Sequence, residues 1–209
     1  VAERNPASLS DDFFMEYASK EIMDTIIKDM EDFGVHFDTW YSQKSLKKSG
    51  KIEKALGILK DKGFLYEEAG ATWFRSTDFG DDKDRVVIRN DSSYTYVAPD
   101  IAYHKEKFEK GYDRIINIWG PDHHGYINRI KAACQALGYD KEKLSILIAQ
   151  LVTLYREGKP AKMSTREGEF VTLREIMEEV GKDAARFFFI MRKTDSHLDF
   201  DLALAKAET

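Results

Sequence analysis

The stretch DRIINIWGPDHHGYINR, residues 113–129, restricts the possible folds more than any other part of the chain. Ile115, Ile116, Ile118 and Trp119 make an apolar run too short for a free helix and rich in the β-branched and aromatic residues that suit a fully buried strand. Gly120 and Pro121 end that run. Ile127, Ile130, Ala133, Cys134 and Leu137 then recur at helical spacing until Gly138, so strand, turn and helix are expected in immediate succession. A buried strand that feeds a helix is the building step of a parallel α/β sheet, where ligands bind at the carboxyl ends of the strands. Asp122, His123 and His124 crowd that turn, which makes it a candidate site.

The flanks support a layered α/β domain. Phe14, Tyr17, Ala18, Ile22, Ile26 and Met30 keep helical spacing over residues 11–33, with Ser10 as cap and Gly34 as stop. His36, Phe37, Thr39 and Trp40 suggest a short strand. A second helix is expected over residues 45–62, with Ile52, Leu56 and Leu59 inward and Gly63 closing it. Residues 64–67 and 72–75 flank Ala69-Gly70 and, with residues 85–89 and 94–97, predict a small antiparallel patch. Pro99 is expected to open a helix running to about Lys110. Residues 143–154 read as buried strand, in one piece or two. Helices are expected over residues 172–180 and 183–191, the latter with Ala184, Phe187, Phe188 and Met191 inward and Phe187, Phe188 and Phe189 as core.

Composition narrows the class. With 209 residues, 43% of them hydrophobic, the chain can fill a substantial core. It lacks an apolar run long enough for a bilayer span and an apolar leader at its start, so a soluble, cytoplasmic protein without membrane contact is expected. A net charge of −5 argues against a dedicated nucleic-acid-binding surface, though not against local contact with RNA. Cys134 is the sole cysteine, which excludes an intrachain disulfide, and its place on the apolar helix face predicts a buried thiol.

Three places carry possible chemistry. In KPAKMSTREG, residues 159–168, Lys159, Lys162 and Arg166 surround Ser164 and Thr165; such a loop suits a polyphosphate, or is simply a solvated charged face. Tyr96, at the end of a strand, and Asp100, in a first helical turn, can face one pocket. The Asp100 carboxylate either meets the forked donors of a guanidinium or only complements the helix dipole. His104 is expected on the surface of that helix. Asp122, His123 and His124 are suitable metal ligands, but neighbouring histidines diverge at a helix start and no further ligand completes a set; His197 and Asp199 lie far away in sequence, so no metal is expected.

The order of these residues is specific. KMST resembles the KMSKS loop of class I aminoacyl-tRNA synthetases. GEFVTLREIMEEVGKDAARFFFIMRKTDSHLDFDLALA and YVAPDIAYHKEKFEKGYDRIINIWGPDHHGYINRIKAACQALGYD resemble the arginyl-tRNA synthetases, so that the likeness covers the chain from about Lys44 onward. The resemblance implies an α/β fold: the second half of a class I Rossmann-like nucleotide-binding domain, a parallel sheet flanked by helices, with a small β-rich insertion. Residues 1–93 would be a helical and β-rich connective insertion, residues 94–170 the Rossmann-like part, and residues 171–209 a helical lead towards an anticodon-binding domain. It implies arginine–tRNA ligase activity with arginine, ATP, Mg2+ accompanying ATP, and arginine tRNA as partners, in a monomeric enzyme. Tyr96 and Asp100 would recognise arginine; Gly120, Asp122, His123, His124, Met163 and Lys162 would hold ATP; Lys162, Ser164 and Arg166 would be catalytic. Thr165 departs from the pattern, standing where a second lysine is usual. No HIGH-type motif occurs, so the chain is expected to begin after it, to end before the anticodon-binding domain and to be inactive alone. A metal-dependent phosphohydrolase built on Asp122, His123 and His124, and a non-catalytic α/β interaction module, are the alternatives.

Overall fold

The structure is a computed structural model and describes residues 10–156, 158–160 and 171–207. Helix α1 (Asp11–Phe33) starts where the Ser10 hydroxyl accepts from the Phe13 N–H and stops at Gly34. Its caps follow the sequence, but none of its residues is buried, and Phe14, Tyr17, Ile22 and Ile26 are exposed. Residues 36–40 form an irregular connection and not the expected strand: a short apolar alternation does not specify a ladder, because strand preference is mostly a matter of neighbours.

The second expected helix is two, α2 (Gln43–Lys48) and α3 (Lys51–Asp61). They part at Gly50, whose φ of 70° is left-handed and incompatible with a continuous helix. Strands β1 (Leu65–Glu68), β2 (Ala71–Phe74) and β3 (Arg85–Ile88) form the antiparallel patch in that order. Ala69 (φ 52°) and Gly70 (φ 75°) both take positive φ, as a type I′ hairpin requires. Tyr94 adds only an isolated bridge to Ile88, and the chain is helical by Tyr96, so Tyr96 does not end a strand. Helix α4 (Val97–Glu109) begins two residues before Pro99, since proline is tolerated throughout a first turn, where N–H groups lack helical partners.

Strand β4 (Ile115–Trp119) is followed by a 3-10 turn (Pro121–Tyr126) and helix α5 (Ile127–Leu137). Strand β5 (Leu144–Ile148) returns parallel to β4, pairing Ile115 with Leu144 and Trp119 with Ile148. The β4 strand is not buried on both faces: Ile115 and Asn117 point inward, while Ile116 and Ile118 are 51% and 68% exposed. The chain continues through β6 (Val152–Arg156), β7 (Lys159–Pro160), α6 (Leu173–Val180), α7 (Lys182–Ile190), β8 (Leu198–Asp201) and α8 (Leu202–Ala207). Here β6 lies parallel to β8 and antiparallel to β7. In α7 the inward residues are Ala185 and Phe188, with Phe189 against them; Phe187 and Met191 are exposed, so the buried stripe is displaced around the helix from the expected one.

Two compact units result. Among the described residues, one comprises residues 40–151 with 194–196, the other residues 10–39, 152–156, 158–160, 171–193 and 197–207. In the first, Ile52 and Leu59 of α3, Phe74 and Val87 of the antiparallel sheet, Ile101 of α4 and Ala133 of α5 share one core. Ile115, Ile130, Cys134 and Leu144 close a smaller core between the parallel pair and α5. The second unit packs Leu154, Ile176, Phe188, Leu198 and Phe200 together, and Arg174 of α6 ties α1 to that unit through Asp29 and Asp32. No helix among the described residues is long and apolar enough to cross a membrane.

Candidate ligand-binding cavity

A cavity of about 570 Å³ lies in the first unit, between α4 and the carboxyl end of β4. Helical geometry brings Asp100, His104 and Lys107 into one stripe of α4, at i, i+4 and i+7. Strand alternation turns Asn117 and Trp119 of β4 towards that stripe. The 3-10 turn adds His123 and Tyr126, and Tyr96 enters from the residue before α4. Much of the wall is aromatic: the Tyr96 and Tyr126 ring centroids are 5.6 Å apart and those of Trp119 and Tyr126 6.1 Å.

Beneath this wall runs a polar chain. The Lys107 ammonium donates to Asn117 Oδ1 (2.8 Å) and sits 4.3 Å from the Tyr103 ring centre. Asn117 Nδ2 donates to His104 Nε2 (2.8 Å), and His104 Nδ1 donates to the backbone carbonyl of Asp100 (2.8 Å). One imidazole nitrogen accepts and the other donates, which defines a neutral histidine. Burial agrees, because it pushes the His104 pKa down to about 4. His104 is therefore a core histidine with both nitrogens engaged, not the surface residue expected.

Asp100 is the cavity's carboxylate, and no ion pair joins it to another of the described residues. Burial raises its pKa; the facing Tyr126 hydroxyl and the charges of His123, Lys107 and Arg129 act in the opposite direction. The Tyr126 hydroxyl is buried and makes no hydrogen bond of ordinary geometry, although it faces Asp100 closely enough to favour the ionised carboxylate. Arg129, one turn into α5, stacks 4.1 Å over the Tyr126 ring centre and reaches the Tyr96 hydroxyl at 3.4 Å, leaving its Nε buried without a partner. A carboxylate set among flat aromatic walls suits a planar cation.

Of the residues singled out from sequence, Tyr96, Asp100 and His123 meet in this cavity, whereas Gly120, Asp122 and His124 do not line it. Asp122 is 78% exposed; its carboxylate folds over Gly120 and lies 3.5 Å from His123 Nε2. A Cβ on Gly120 would stand 2.7 Å from Asp122 Oδ1, so glycine is what permits that arrangement. Lys162, Met163, Ser164, Thr165 and Arg166 lie outside the described residues. Among the described residues no group of three His, Cys, Asp or Glu side chains could hold a metal ion; His197 is engaged with Asp199 and Thr153. Sequence reasoning did not single out Lys107, Asn117, Tyr126 or Arg129. The first two had a signal: Lys107 continues the Asp100 stripe, and Asn117 is a lone amide inside an apolar strand.

Residues 8–200 match the family described as tRNA synthetases class I (R), catalytic domain. The chain belongs to that family. Arginine–tRNA ligase 1 of Halalkalibacterium halodurans is 57% identical over 197 residues, which is 94% of this chain and 35% of that protein. A solved Campylobacter jejuni chain assigned to arginyl-tRNA synthetase superposes with a TM-score of 0.86 at 38% identity, over 95% of this chain and 44% of that one. The Thermus thermophilus arginyl-tRNA synthetase shares the fold (TM-score 0.74, 19% identity, 90% of this chain and 42% of that one). The chain thus spans about a third of the length of the curated relatives it matches. The α/β synthetase fold expected from the sequence is the one observed, and neither the phosphohydrolase nor the interaction-module alternative finds support in these relatives.

Proposed function

We propose that this chain is catalytic-domain material of an arginine–tRNA ligase and that the cavity under Tyr96 holds the arginine side chain. In that reaction an arginine carboxylate oxygen bonds to the α-phosphorus of ATP as the bond to the β-phosphate oxygen breaks. Pyrophosphate leaves, and the arginyl group of the adenylate then passes to a hydroxyl at the 3′ end of arginine tRNA. The observation that carries the reading is the Asp100 carboxylate, which lies in an aromatic-walled cavity without an ion-pair partner among the described residues. A carboxylate there accepts two parallel N–H donors from a guanidinium, and a lysine ammonium cannot reproduce that fork.

Tyr96 packs as the roof of this site. Gly120 and Asp122 are assigned to ATP, the glycine for close approach and the carboxylate for a ribose hydroxyl, with His123 and His124 on the same turn. The resemblance assigns Lys162, Ser164 and Arg166 to the phosphates and Met163 to ATP. Mg2+ would accompany ATP, as the resemblance implies. Residues 1–93 would serve as connective insertion.

The test is amino-acid-dependent exchange of labelled pyrophosphate into ATP by the protein that carries this chain. Exchange is expected with arginine and not with lysine. Exchange driven by another amino acid in place of arginine would sink the assignment.

A further inference from the structure

Lys107 presents a difficulty for a cavity that binds a cation. It shares the α4 stripe and the cavity lining with Asp100, two helical turns away, and each charge stabilises the other's ionised form. A lysine that paired with this carboxylate would cancel the charge a guanidinium needs. In the structure it does not pair. Its ammonium is drawn aside to Asn117 Oδ1 at 2.8 Å and lies over Tyr103.

Asn117 is able to hold it because its own amide is oriented from below. His104 accepts from Nδ2 through Nε2 and donates through Nδ1 to the Asp100 carbonyl, which leaves Oδ1 as the atom that faces Lys107. Asn117 is 4% exposed and His104 also 4%, so water does not compete readily for these bonds.

We propose that Asn117 is a positioning residue that keeps Lys107 away from Asp100 and so keeps the carboxylate free for a cationic substrate, with His104 setting the orientation of the Asn117 amide. The proposal rests on the reading of Asp100 as the carboxylate that meets arginine. Without the Asn117 acceptor, Lys107 swings onto Asp100 and competes with the guanidinium, while the ATP side of the site is untouched. Lys107→Met keeps the aliphatic stem against Tyr103 and removes the competitor.

Arginine and ATP KM values from pyrophosphate exchange, in the protein that carries this chain, decide the matter. Asn117→Ala is expected to raise the arginine KM by about tenfold, a typical coupling for contacting residues, and to leave the ATP KM within about twofold. Lys107→Met is expected to lower the arginine KM, and the double variant to return to the Lys107→Met value. A purely structural loss would survive the second substitution and raise both KM values. Should Asn117→Ala not fold, Asn117→Ser, which cannot reach the ammonium, is read in the same way. Absence of rescue, or weaker arginine binding in Lys107→Met, overturns the assignment of Asn117. If Asp100→Asn has no effect on arginine, the reading of the cavity itself fails and takes this inference with it; if Asp100→Asn abolishes arginine binding and rescue is absent, only the inference fails.

Discussion

Replacing Asp100 with Asn separates recognition from folding. The amide has the shape of the carboxylate but keeps one acceptor and turns an NH2 group towards the cation, so two charge-assisted bonds become one neutral bond and one repulsive contact. Truncating one side of a desolvated charge pair costs about 2–5 kcal/mol; Asp100 is only partly buried, so about 2–3 kcal/mol is expected, or about 30- to 160-fold in arginine affinity. Stability should move the other way. Burial raises the Asp100 pKa above the ordinary carboxylate value, so the folded state holds its proton to a higher pH than the unfolded state. The cost of the buried charge is fully present above the folded pKa and is relieved as pH falls through it. At neutral pH the Asn variant therefore melts no lower than the parent. Arginine binding by the parent should weaken on acidification through that raised pKa, because only the ionised form pairs, and the variant should show no such dependence. The assay is the arginine and ATP KM values from pyrophosphate exchange, with a thermal melt of each protein. An equal loss for both substrates, or a loss accompanied by a fall in melting temperature, refutes the reasoning.

Other perturbations follow from the same geometry. His104 takes a proton near pH 6.5 when unfolded and near 4 when folded, so stability falls as pH drops through that interval, by about 3 kcal/mol in full. His104→Gln should flatten this acid limb in denaturant titrations between pH 7 and 4, and an unchanged slope would count against a buried neutral imidazole. Gly120→Ala forces the Asp122 carboxylate aside and should raise the ATP KM by about fivefold, the loss of one hydrogen bond of about 1 kcal/mol; a rise confined to arginine would contradict the ATP assignment. Thr172 and Glu175 form a reciprocal capping box on α6, so Thr172→Ala should cost about 1 kcal/mol in chemical denaturation, and no change would show that α6 is held by packing alone.

Much of the local structure was legible. Ser10 and Gly34 bracket α1 as their chemistry demands, Ala69-Gly70 makes the hairpin, and the strand-turn-helix around Gly120 is where the apolar pattern puts it. Gly50 lies inside the single helix that the apolar spacing predicts over residues 45–62, and its left-handed φ divides that stretch into two helices. Pro99 marks the first turn of α4 but not its first residue, because proline is favoured in a first turn that has several positions.

Burial was less legible, because it is decided by neighbours that are distant in sequence. His104 reads as a surface residue on its own helix and becomes a core residue only when β4 lays Asn117 against it. The same strand looked buried on both faces, but α5 covers one side and Ile116 and Ile118 remain exposed on the other. By itself the sequence determined the family, the helix caps, the hairpin and the strand-to-helix turn, since these depend on short-range sterics, local hydrogen bonds and ordered motifs. Tertiary structure alone decided that Asp100 shares a cavity with Tyr126 and Lys107, that Asn117 stands between Lys107 and His104, and that Asp122 does not line that cavity. Those outcomes depend on how α4, β4 and the 3-10 turn pack together, and the desolvation and charge pairing that give each side chain its chemistry exist only once they do.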